Sequence, residues 1–146
     1  MNLDAIVTAI EGVTGLSGNV QIGQPERIEG ITSGPYAWLS EAMESAAPSG
    51  RVNQPSIQRI DCRVGITIGA QTMADVLETR EAIRWALIDL DPEGTAGAEP
   101  LQFRGGQLAF LDPGWTFWRD EYAYSYYVDL LNPPEEPEPD PVPEGP

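Results

Sequence analysis

From Arg59 to Ile68 apolar and polar residues alternate without a break. Ile60, Cys62, Val64, Ile66 and Ile68 fall on one side, and Arg59, Asp61, Arg63, Gly65 and Thr67 on the other. A period of two over ten residues predicts a strand with one buried face and an Arg-Asp-Arg row on the other. The period changes at Thr72. From there to Leu90 the positions Met73, Val76, Ile83, Leu87 and Leu90 mark one helical face, Thr72 and Asp75 form a capping-box variant, and Asp91-Pro92 ends the run. Glu81 and Arg84 are spaced to pair on the outer side. A shorter amphipathic helix is predicted over Leu3 to Val13, with Leu3, Ile6, Val7 and Ile10 on one face, Asn2 as N-cap and Gly15 just beyond.

The remaining segments are strands and turns. Val20 to Ile22 fits a short strand, and Gly23 to Pro35 is turn-rich. Tyr36 to Met43 fits a strand with Ala37, Leu39 and Met43 on one face better than it fits a helical turn. Glu44 to Ser56 combines Pro, Gly, Ser and Asn and predicts a long excursion, of the kind that is functional or mobile in compact domains. Leu101 to Leu111 carries Gly105-Gly106, which predicts a hairpin turn there. Asp112-Pro113-Gly114 makes a further turn before Trp115 to Trp118. Tyr122 to Leu131 is a strand with Tyr122, Tyr124, Tyr126, Val128 and Leu130 on one side. The order of helix, strands, helix, strands predicts an α+β two-layer sandwich over residues 1–131, with a mostly antiparallel sheet and both main helices packed on one face. No internal repeat is visible.

Charge narrows the function. The 146 residues hold 23 acids against 8 arginines, with no Lys, no His and one Cys. Without His or Lys there is no imidazole base, no Ser-His-Asp or Cys-His pair, no His-ligated zinc and no lysine phosphate clamp. A lone Cys62, inside the alternating strand, is expected to be a small buried residue rather than a nucleophile. It also leaves no partner for an internal disulfide or a multi-cysteine metal site. The expectation is a protein that is not an enzyme and carries no cofactor or metal. Residues 132–146 contain five acids and seven prolines, so an extended, solvated, disordered tail is expected. Without it the body still stands at -10. Such a body repels phosphates, so DNA binding as the main role is disfavoured. No run approaches the roughly 18 apolar residues of a membrane span. The acidic start MNLDAIVTAIEG lacks the basic residues of a signal peptide, so a cytoplasmic site of folding is expected.

Several groups invite chemistry. Asp89, Asp91, Glu93 and Gly94 imitate the opening of a calcium loop, but Pro92 stiffens it and Glu99 falls one residue short of the twelfth position. Nine of the twelve aromatics lie between Phe103 and Tyr127. Trp115 and Trp118 offer a sugar-stacking platform for a carbohydrate-binding module, with Asp120 and Glu121 as the carboxylates of a glycosidase. Neighbours on a strand point to opposite faces, which argues against that pair. Core and subunit interface explain the aromatics more simply. The Arg59, Asp61, Arg63 row, with Arg51 nearby, is either self-neutralising or an intersubunit contact through arginine forks. An acidic DNA mimic is a further possibility from the charge alone.

The run RIDCRVGITIGA, the helix MADVLETREAIRWALIDLDPEG, then LQFRGGQLAFLDPG and WTFWRDEYAYSYYVDLL resembles the tail terminator or tail-completion proteins of tailed bacteriophages, in particular those of Mu-like contractile tails. The resemblance covers about half the chain and includes no catalytic signature. It implies a small α+β subunit of a hexameric ring at the head-proximal end of the tail tube in the virion. That ring stops tube polymerisation and offers a surface for the head connector. The implied partners are further copies of the chain, the tail tube protein and the connector, with DNA passing an acidic lumen without specific binding and no membrane contact. A stopper or adaptor of the neck is the nearest alternative. Arg51, Arg59, Asp61, Arg63, Gly105, Gly106, Trp115 and Trp118 are the interface candidates on this reading.

Overall fold

The computed structural model describes residues 1–25, 34–47, 57–94 and 97–129. Two helices and five strands follow one another as α1 (Leu3–Glu11), β1 (Val20–Ile22), β2 (Tyr36–Ala47), β3 (Ile57–Ala70), α2 (Met73–Leu87), β4 (Glu99–Asp112) and β5 (Trp115–Asp129). The strands form one open sheet in the order β1-β2-β3-β5-β4. Every pairing is antiparallel except β1 with β2. This is the expected α+β architecture.

The alternating strand is the centre of the sheet. Cys62, Val64, Ile66 and Ile68 of β3 are buried against Ile6 and Ile10 of α1 and Val76, Ile83 and Leu87 of α2. Each fully buried Val, Leu or Ile contributes about 1.5–3 kcal/mol. Both helices therefore pack on the same face of the sheet. Asn2 caps α1 by accepting from the Ala5 N–H, and Thr72 caps α2 by accepting from the Asp75 N–H at 3.1 Å. α2 differs from its predicted face in two places. Met73 is 39% exposed, and the buried stripe runs through Val76, Thr79, Ile83 and Leu87 instead. Arg84 does not pair with Glu81; its guanidinium lies 4.1 Å from the centre of the Phe103 ring, where stacking on β4 replaces a solvent-exposed ion pair.

Three strand expectations change. β2 is irregular between Leu39 and Glu41, where one extra residue reverses the phase, so Ala37 and Leu39 are buried while Met43 is exposed on the other face. β2 also continues through Glu44 to Ala47, which shortens the predicted excursion; residues 48–56 lie outside the described set. Gly105-Gly106 is not a turn. β4 continues through it as one bulged strand of 14 residues, and the chain reverses at Asp112-Pro113-Gly114-Trp115. Trp115–Trp118 and the tyrosine strand are accordingly one element, β5.

The glycine pair has another task. Gly105 sits in a bulge at φ +148°, and Gly106 faces the helices opposite Asp120. A Cβ on Gly106 would collide with Asp120 Oδ1 and Trp118 Nε1. Glycine there leaves room for a buried ion pair. Asp120, 1% exposed, accepts from Arg80 Nε at 2.8 Å and from Trp118 Nε1 at 3.0 Å. Arg80 lies 4.8 Å from the centre of the Trp118 ring. This cluster ties α2 to β5.

Candidate interaction surface

The sheet face away from the helices has two unlike halves. At the end near the Asp112–Trp115 turn, Tyr36, Trp38, Phe110, Trp115 and Phe117 form a continuous aromatic cluster, with Phe110 and Phe117 stacked at 4.3 Å. Gly69 of β3 makes the cluster possible, since a Cβ there would press on Phe117 and Trp38. Phe117 and Trp38 are buried, whereas Phe110 is 41% exposed. Here β3 is buried on both faces, beyond the one-sided burial its alternation predicts.

The other half is polar. Arg59 Nε donates to Asp61 Oδ1 at 2.8 Å, and Ser125 Oγ donates to the same oxygen at 2.7 Å. The Ser125 hydroxyl, helped by Arg59, holds the Asp61 carboxyl below its ordinary range. Arg63 reaches only to 4.0 Å from Glu121 and its side chain is 65% exposed. Arg119 lies across Gly65 of the central strand and pairs with Glu41 of β2. Met43, Arg59, Asp61, Arg63, Arg104 and Glu121 help line a concavity of 650 Å³ in this half. Arg104 of β4 is exposed and makes no ion pair with any described residue.

Apolar side chains are exposed on the edges and outer flanks. Leu108, Phe110 and Leu111 of β4 are 44%, 41% and 67% exposed. On α2, Leu77, Trp85 and the capping Ile88 are exposed, Trp85 by 70%. No strand among the described residues pairs with the outer edge of β4. Among the described residues β1 pairs with the outer edge of β2 at Ala37–Leu39, and Gln24 Nε2 donates to the Ser40 carbonyl just beyond. Single exposed apolar residues are ordinary, but an open, partly apolar edge of this length is a template for another chain.

The sequence candidates therefore scatter. Arg59, Asp61 and Arg63 share the outer face, as the alternation predicts, and Trp115 lies on that face too. Trp118 is on the helix side beneath Arg80, so Trp115 and Trp118 form no single stacking platform. Strand alternation separates them through their odd and even positions once β5 is continuous. Asp120 and Glu121 likewise point apart, one into the Arg80 pair and one to the outer face. Gly105 and Gly106 lie in the β4 edge instead of a hairpin tip. Arg51 lies outside the described residues, as does the whole of the expected acidic tail, residues 132–146.

The acidic loop after α2 is used internally. Asp91 Oδ1 accepts the N–H groups of Glu93 and Gly94, and Glu93 Oε1 accepts from the Asn2 N–H and the Tyr124 hydroxyl. Among the described residues no group of three acidic or cysteine side chains is placed to hold a metal ion. Cys62 is 1% exposed, and burial pushes its thiol up to about 11. No described helix is long and apolar enough to cross a membrane. The candidate features missed in the sequence are Arg104 and the two sheet edges that no described strand covers along most of their length. The signal for the first is that Arg104 is the one cation of the β4 sequence, and the supposed Gly105-Gly106 turn hides it.

The sequence matches no family model and no curated protein.

Proposed function

We propose that the chain is a structural subunit of a bacteriophage tail, forming a ring at the head-proximal end of the tail tube. In that position it terminates tube polymerisation and offers a surface for joining the head connector. The observation that carries this reading is the open sheet itself. Among the described residues both lateral edges are unpaired over most of their length, and exposed Met43, Leu108, Phe110 and Leu111 sit along them. A subunit that joins its own copies needs two different complementary surfaces, and two edges of one sheet supply them. The sequence resemblance of Ile60 to Leu131 to tail terminators names the setting, and the excess of acids suits a lumen through which DNA slides without being held. On this reading the chain makes and breaks no covalent bond. A stopper or adaptor of the neck uses the same type of surface and differs in what it touches.

Particles assembled without this protein distinguish the roles. Terminator function predicts overlong tails without heads in negative-stain images. Tails of normal length contradict it, and normal-length tails that fail to join heads transfer the assignment to a neck adaptor.

A further inference from the structure

We infer that copies of this chain join edge to edge, the Glu99–Gly105 half of β4 of one copy adding antiparallel to the Glu41–Ala47 half of β2 of the next. The inference deepens the ring reading and rests on it for closure alone.

Direction comes first. β2 is antiparallel to β3, β3 to β5, and β5 to β4, so β4 runs opposite to β2. When one copy is rotated onto the next about an axis along the strands, β4 of the first meets β2 of the second antiparallel. That is the more stable pairing, and it needs no strand to reverse. Joining β4 to β4 would instead require a two-fold axis and would stop at a dimer.

Level comes second. Glu41 is in register with Gly65, Glu121 and, across the sheet, Gly105; Met43 is in register with Arg63, Ala123 and Gln102. A cyclic ring has no rise along its axis, so these levels carry over from copy to copy. Arg104, lying between Gln102 and Gly105, therefore arrives beside Glu41 and Met43 of the neighbour. Arg104 is an exposed cation that pairs with no acid among the described residues, on a strand edge that no described strand covers. Residues Glu41 to Ala46 are exposed along the facing edge, with Met43 at 57%. The sign match is local to one level: Arg104 meets Glu41, which within its own copy pairs with Arg119, while Glu99 of β4 comes level with the uncharged Ser45. Bulges in β4 bend its edge, and a sheet continued around a ring bends at each seam.

The test uses Met43→Arg and Arg104→Glu, both at exposed positions that leave the core untouched. Sedimentation of the purified wild-type chain at rising concentration should show assembly. Met43→Arg sets two cations against each other and Arg104→Glu sets acid against Glu41, so each single variant should assemble about tenfold or more weakly while keeping its folded circular dichroism. The double variant restores opposite charges across the seam and should reassemble. A wild-type chain that stays monomeric, a Met43→Arg variant that assembles normally, or a double variant no better than the singles overturns the seam. Rings that persist in both single variants overturn the seam and leave the ring standing. Edge-dependent growth into open, unclosed chains keeps the seam and overturns the ring.

Discussion

At Asp120 a charge is held where almost no solvent reaches, and everything near it is arranged to permit this. Arg80 and Trp118 donate to the carboxylate, Phe103 and Trp118 lie against the guanidinium, and Gly106 withholds a side chain. Burying such a pair adds little net stability, but breaking it leaves an uncompensated charge. Arg80→Ala should therefore cost about 3–5 kcal/mol of unfolding free energy in a denaturant titration, far more than a surface arginine. A loss near zero would mean that water solvates Asp120. None of this was legible from the residues in isolation. Gly105-Gly106 resembles a hairpin turn because glycine serves both turns and close approaches, and the sequence does not say which side chain is approaching. Arg59, Asp61 and Arg63 were legible as one row because strand alternation is a purely local rule.

At the scale of elements, β5 carries Tyr122, Tyr124 and Tyr126 on the helix-facing side. Burial raises all three hydroxyls above the ordinary tyrosine value of 10.0, Tyr122 to about 12; Glu93 and Glu44 accept from Tyr124 and Tyr126 and push them further. The folded chain thus keeps protons that the unfolded chain releases, so stability is complete below the ordinary tyrosine pKa and falls as pH rises past it. Cys62 acts in the same direction from 9.0 upward. An alkaline titration should show three of the five tyrosines ionising only together with the loss of the folded circular dichroism. Full tyrosinate absorbance with the fold intact would contradict the buried row. The long elements were legible: β3 and α2 have sustained periods and caps, and local pattern decides them. β2 and β4 were less so. A single extra residue near Ser40 reverses the phase of β2, and the edge position of β4 leaves its alternation unconstrained by a buried face on both sides.

For the whole molecule, the described sheet is covered by helices on one face, and among the described residues both lateral edges are open over most of their length. The apolar pattern made the layered core predictable, because burial is what that pattern encodes. The edges were not predictable, since they depend on strand order, which arises only when distant segments meet. Arg104 acquires meaning there, as a cation on an open border within a strongly acidic chain. On the proposed function, copies of the chain unite through these borders into a closed ring on the tube. Cryo-electron reconstruction of intact tails tests this most directly. The expected result is a single ring of this fold at the head-proximal end, its sheets continuous from copy to copy through β4 and β2. Tails that lack the fold at that end, or that carry it as separate subunits bound along the tube, would contradict it.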